Sequence, residues 1–172
     1  MATAPALLSV DTYLHTSYRP DVDFIAGELR ERSVGEFEHG RMQWLIGLSF
    51  GNREKEWNLQ GVIEQRIRIS DDRLRVCDLV LLRADARRER VITTPPLVCI
   101  EILSPEDRLS RAKEVLGDYL RFGVQNSWLI DPLRRAAFTF DVAGLHETDP
   151  TQLTVPGPPI YLDLTEAFAA MD

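Results

Sequence analysis

Residues 62–69 alternate with period two: Ile63, Gln65, Ile67 and Ile69 interleave with Val62, Glu64, Arg66 and Arg68. This alternation predicts a strand with one face half exposed. Two nearly continuous apolar runs follow, RVCDLVLLR (75–83) and PLVCIEILS (96–104), separated by the polar stretch ADARRERVITTP. Apolar runs bounded by polar turns predict buried strands, here joined as a hairpin. The period then changes. RLSRAKEVLGDYLRFG predicts a helix closed by Gly123, and NSWLIDP a strand ended by Pro132, which makes a strand–helix–strand crossover. Upstream, Met42, Leu45, Leu48 and Ser49 form a helical stripe within 37–56, weakened by Gly40, Gly47 and Gly51. Ser9 is a good N-cap for a short helix through VDTYLHTS, and DFIAGELRER alternates around Gly27 as a small hairpin. RRAAFTFD and GLHET predict a further hairpin, and PIYLDLTEAFAAM a last strand and helical tail. The order is helix, three strands, helix, strand, with decorations at both ends: an α+β domain with a mixed sheet covered by helices.

Composition narrows the function classes. With 172 residues and a 44% hydrophobic share the chain can bury one real core. Twenty basic against 27 acidic side chains give a net charge of −7, so a non-specific basic nucleic-acid binder is excluded and any nucleic-acid contact is local. The segment MATAPALLSV lacks the basic n-region and apolar length of a signal peptide, and no run approaches the ~20 apolar residues of a membrane span. A soluble intracellular protein is expected. Two cysteines and three scattered histidines form neither a disulfide framework nor a zinc spacing.

The apolar strands carry two acids, Asp78 and Glu101. If they pair about the midpoint of the intervening loop, Arg83 lies opposite Pro96 and Asp78 opposite Glu101. Like charges at opposed positions destabilise a sheet, so a hard divalent cation is a natural compensating partner. The alternative is that each acid sits at a strand end facing water. In the same register Cys99 lies opposite Val80 and Cys77 opposite Ile102, which predicts thiols on opposite faces of the sheet and no disulfide between them.

RVCDLVLLR followed by LVCIEILSPEDRLSRAKEVLGDYLRFGVQNSWLIDP resembles the Uma family of restriction-endonuclease-like proteins, a branch of the PD-(D/E)XK nuclease superfamily. DFIAGELRER and HGRMQWLIGL resemble that family's acidic-glycine hairpin and His-led first helix. The resemblance implies one restriction-endonuclease-like domain over residues 1–172, with an α-β-β-β-α-β core at about 36–132. It also implies a Mg²⁺- or Mn²⁺-dependent phosphodiesterase acting on nucleic acid, DNA above all, in a prokaryotic cytoplasm, and is compatible with a homodimer. Asp78 matches the motif's first acid and Glu101 its second, with the Ile102 carbonyl as a third metal ligand. Cys77 stands where the superfamily usually has proline and Leu103 where it usually has lysine. The matching lysine in the Uma family comes from the following helix, at Lys113. On a helical wheel with Leu109 at zero, Lys113 lies at about 40°, bordering Ala112, Leu116 and Leu120, while Arg111, Glu114 and Asp118 lie on the opposite side.

Further residues can be set around this site. His39, Glu38 and Glu28 lie in the matching N-terminal segments, and Gln65 on the strand before Asp78 can reach the rim of the cleft. The basic run DARRER (85–90) is either a solvated loop or a phosphate contact, and Trp128 is expected in the core. The expected reaction is metal-assisted phosphodiester hydrolysis. Two alternatives stay open: a catalytically silent member of the fold acting as a nucleic-acid-binding or assembly module, and an unrelated α+β domain with two exposed acids.

Overall fold

The structure is a computed structural model that describes residues 7–33 and 36–172. Helix α1 (Val10–His15) starts where Ser9 Oγ accepts the Thr12 amide at 3.0 Å. Strands β1 (Asp23–Ile25) and β2 (Glu28–Arg30) form a hairpin whose turn residues Ala26 and Gly27 have φ of 49° and 88°, the left-handed pair that a tight two-residue hairpin needs. Helix α2 (Phe37–Gly51) and the single turn α3 (Glu54–Trp57) lead into β3 (Leu59–Ser70), β4 (Arg73–Arg83) and β5 (Val98–Ile102). Helix α4 (Leu109–Phe122) ends at Gly123, with φ 105°, and returns the chain to β6 (Ser127–Asp131). A hairpin of β7 (Ala136–Asp141) and β8 (Gly144–Thr148) extends the sheet. Strands β9 (Leu153–Thr154) and β10 (Tyr161–Leu162) form a separate two-stranded ribbon before α5 (Thr165–Ala169).

The eight-stranded sheet runs β2-β1-β4-β5-β6-β7-β8, with β3 also paired to β4. β3 covers one edge of β4 over nearly its whole length. The other edge is shared: β1 takes Arg73 and Leu74, and β5 takes Leu79 to Leu81. Between them Arg75 to Asp78 have no strand partner on that side. The β4–β5 register is the one expected, with Val80 opposite Cys99. β5 and β6 are parallel through the α4 crossover.

Two cores sandwich the sheet. On one side Met42, Ile46 and Phe50 of α2 pack on Leu79, Leu81, Ile100, Ile102 and Trp128, closed by Leu162 and Phe168. On the other Ala112, Val115, Leu116 and Tyr119 of α4 pack on Cys77, Val80, Cys99 and Leu129. The α2 stripe therefore differs from the one expected. His39, Met42, Ile46 and Phe50 face inward while Leu48 is exposed, because the sheet meets the helix on the 39/42/46/50 face.

The alternation along β4 slips by one residue at Asp78. Leu79 and Leu81 face α2, yet both Cys77 and Val80 face α4. Opposite the slip, Glu64 of β3 adopts φ 50°, left-handed backbone that a non-glycine residue rarely takes. This corrects the expectation that the cysteines lie on opposite faces: Cys77 and Cys99 share the α4 core. Both are nevertheless free and buried, and Cys77 Sγ donates to the carbonyls of Leu79 (3.3 Å) and Ile100 (3.5 Å).

A buried ion network locks β1, β4 and α4 together. Arg75, 2% exposed, donates to Asp118 (2.7 Å), Asp23 (2.9 Å) and Glu114 (2.8 Å), and Asp23 also accepts the Val76 amide at 2.9 Å. Asp118 is thus fully buried rather than on a solvent face. Removing one partner leaves uncompensated buried charge. Arg75→Met is expected to cost about 3–5 kcal/mol in urea unfolding at neutral pH; a loss under ~1 kcal/mol would mean that water already screens the network. The thiols give a second expectation: in native protein neither Cys77 nor Cys99 reacts with a thiol reagent, and both react on unfolding.

Candidate metal centre

The unpartnered stretch of β4 opens a cleft between β1, β5 and the start of α4. Asp23, Arg32, His39, Val76, Asp78, Glu101, Ile102, Leu103, Ser104, Arg111 and Val115 are among its lining residues. Its volume is about 60 Å³, room for an ion and a few waters but not for a nucleotide.

Asp78 is 1% exposed. Its Oδ2 accepts the Ile102 amide at 2.8 Å, where a ladder carbonyl would otherwise sit, so β4 and β5 diverge just past their three paired residues. Its Oδ1 accepts from Arg32 and lies 3.6 Å from His39 Nε2. His39 is buried on the first turn of α2, and its Nδ1 meets Ser104 Oγ at 3.2 Å. Ser104 is presented by a turn that Asp107 closes, Oδ2 accepting the Ser104 amide at 2.8 Å. The Ser104 contact orients the imidazole with Nε2 towards Asp78, the arrangement a metal-binding histidine uses.

Glu64 completes the cluster. β3 pairs Ile63 with Leu79 and Gln65 with Cys77, so Glu64 stands opposite Asp78. Glu101 follows Ile100, the last β5 residue paired to β4, and shares the cleft with Asp78 where the two strands diverge. Glu64 Oε2 accepts from Arg32 and Oε1 from Gln43 Nε2 at 3.0 Å; Gln43 also donates to the Asp78 carbonyl at 2.8 Å. Ligand atoms of His39, Glu64 and Asp78 lie within 4.8 Å of one another. A set of carboxylates with one imidazole suits Mn²⁺ as well as Mg²⁺, and the Arg32 guanidinium bridging two of the acids shows that the site accepts a cation.

Glu101 is held from the other side, where its carboxylate accepts the Tyr119 hydroxyl. Burial, and then the Asp78 charge, push its pKa well above the ordinary carboxylate range, against the pull of Arg32 and of that hydroxyl. Burial also raises Asp78, opposed by Arg32, His39 and the Ile102 amide.

Of the residues marked out in the sequence, Asp78, Glu101, Ile102 and His39 meet at the cleft. Gln65 turns away, donating to the carbonyls of Arg66 and Arg90. Glu28 is exposed and pairs with Arg30 at 3.8 Å, and Glu38 is half-buried outside the lining. Lys113 is exposed and does not line the cleft. The buried face of α4 centres on Ala112, Val115 and Tyr119, about 120° from Lys113 on the wheel, because Leu109, taken as the reference, is itself 40% exposed. Leu103 packs against the α4 core, and among the described lining residues no lysine occurs. Glu64, Arg32 and Tyr119 were not foreseen. Glu64 shows in the sequence only as the acid of a strand alternating with apolar neighbours; Arg32 arrives from 46 positions away, and Tyr119, on the helix after β5, reads in the sequence as one more apolar-face residue.

The family model described as "Putative restriction endonuclease", Uma2, matches residues 10–168. Among solved structures the chain is similar to a "putative nuclease belonging to DUF820" from Anabaena variabilis, at 20% identity and a TM-score of 0.79, over 94% of this chain and 98% of that one. At that identity the likeness is one of fold. Comparison with curated proteins returned no match.

The Glu101 shift has a signed consequence. An acid whose folded-state pKa is raised holds its proton where the unfolded chain has already lost it. Its contribution therefore falls as pH rises from the unfolded value of ~4.3 through the folded one. In metal-free protein, Glu101→Gln is expected to gain stability relative to wild type progressively above about pH 4.5. A difference that is flat from pH 4 to 8 in chemical unfolding would mean that Glu101 is solvated.

Proposed function

Because the chain belongs to the Uma2 family, we propose that it is a divalent-metal-dependent nuclease that hydrolyses phosphodiester bonds in nucleic acid, with DNA as the first substrate to test. The observation that carries this reading is the cluster of Glu64, Asp78 and Glu101 with His39 beside it, acids from three strands that meet where β4 lacks a strand partner between β1 and β5. Asp78 is buried, Glu101 half-buried and Glu64 exposed at the rim, and a buried carboxylate beside other acids is costly without a cation. Asp78, Glu64 and His39 would hold Mg²⁺ or Mn²⁺, with Glu101 and the Ile102 carbonyl completing the set. When bound, such an ion supplies an activated water and polarises a phosphoryl oxygen.

The chain's own residues do the rest. The Ile102 amide fixes the Asp78 carboxylate, and Ser104 fixes the imidazole of His39. Tyr119 holds Glu101 at a set rotamer. Gln43 ties Glu64 to the Asp78 backbone. Arg32 and Arg111 are the cations at the cleft, able to face phosphate oxygens. Among the described residues no helix is long and apolar enough to cross a membrane. A second reading, a silent member of the fold that binds metal or nucleic acid without turnover, is favoured by one observation: no lysine lines the cleft among the described residues.

The two readings separate in one experiment. Wild type, Asp78→Asn and Glu101→Gln are incubated with supercoiled DNA, single-stranded DNA and RNA in Mg²⁺ or Mn²⁺, with metal binding read by calorimetry. Cleavage is expected in wild type, falling at least ~10²–10³-fold in each acid variant. Lys113→Met, altering an exposed side chain, is expected to keep wild-type turnover. Metal binding without cleavage of DNA or RNA would select the silent reading.

A further inference from the structure

The cleft already contains a cation. Arg32 follows β2, outside any helix or strand, and its side chain is only 15% exposed. One guanidinium nitrogen bonds Asp78 and another bonds Glu64. Burial disfavours its charge, but Asp78, Glu101 and Glu64 outweigh that and keep it protonated. A planar guanidinium bridging two carboxylates satisfies the lone pairs that a divalent ion would use.

We propose that Arg32 is a resident counter-cation of this centre, occupying the carboxylate cluster in the metal-free protein and giving it up when a divalent ion binds. This rests on the metal-dependent reading above and adds what the chain does before the ion arrives. The Asp78 oxygen that Arg32 holds is also the one nearest His39, so the guanidinium and an ion shared by His39, Glu64 and Asp78 would claim the same donor atoms. Both could not be held at once without placing a guanidinium against a divalent charge in a poorly solvated cleft. The metal-free protein avoids the cost of bare acids, and affinity for the ion is lowered by the contacts it must displace. Arg111 offers the contrast. It also lines the cleft, but its guanidinium is bound to the Glu31 carbonyl rather than to the acids.

The test is Mn²⁺ binding by calorimetry at pH 8 for wild type, Arg32→Met and Arg111→Met. Arg32→Met is expected to bind Mn²⁺ roughly tenfold more tightly than wild type, the equivalent of one charge-assisted contact no longer displaced. Arg111→Met should stay within about twofold. Equal or weaker binding by folded Arg32→Met overturns the proposal and leaves the nuclease reading standing. So does equal tightening by both variants, which would reflect net charge alone. Absence of binding in wild type and Arg32→Met alike overturns both readings. Should Arg32→Met fail to fold, the wild type decides: the Arg32 Nη–H resonance, from the nitrogens that bond Asp78 and Glu64, is expected to shift and lose exchange protection on saturation with Mg²⁺. A resonance unmoved by saturating metal refutes displacement.

Discussion

Two carboxylates take the place of a missing strand. Along the free edge of β4 the Asp23 side chain accepts the Val76 amide, and the Asp78 side chain accepts the Ile102 amide across the opening. Buried amides must be paired, and these are paired by side chains rather than by a neighbouring backbone. β1 and β5 can therefore share one edge of β4 without meeting, and the space left between them is the cleft. Everything proposed for the centre depends on that opening. A strand that paired through it would replace the Asp23 and Asp78 side-chain acceptors with a backbone ladder and leave no room for an ion.

Among the described residues most of the buried charge falls in two neighbouring networks of different character. Around Arg75 the acids Asp23, Asp118 and Glu114 are all engaged, and the group is closed to solvent on the guanidinium side. That network ties β1 and α4 to β4 and sets the walls of the cleft. Around Arg32 three acids face one guanidinium that is less deeply buried and comes from a loop. The first is complete and structural. The second leaves negative charge in excess, with the left-handed backbone of Glu64 held beside it. Strain and uncompensated charge at one place are common features of sites that act on something.

Most of the architecture was legible in the chain. Period-two and helical patterns placed every major element, and the loop midpoint between β4 and β5 set the register that brings Asp78 beside Glu101. These follow from local geometry: side chains alternate along a strand, and a hairpin's register follows from its connection. The family resemblance added His39. Errors arose where local regularity stopped. The two cysteines were assigned to opposite faces by strict alternation, and β4 slips at Asp78. Lys113 was set beside a buried face taken to run through Leu109, whereas the sheet meets α4 nearer Val115.

What the sequence determined by itself was thus the elements, the mixed sheet and the pair of acids, because each depends on residues close in the chain or related by one short connection. What only the tertiary structure decided was the rest of the centre. Glu64 reaches Asp78 through a ladder whose register no turn length announces, since an irregularity between Arg68 and Ser70 shifts it just beyond the turn. Arg32 reaches it from a loop 46 positions away, and Tyr119 reaches Glu101 from the helix beyond. Long-range contacts of this kind are chosen by which faces can be buried together, a property of the assembled layers that no stretch of the chain encodes on its own.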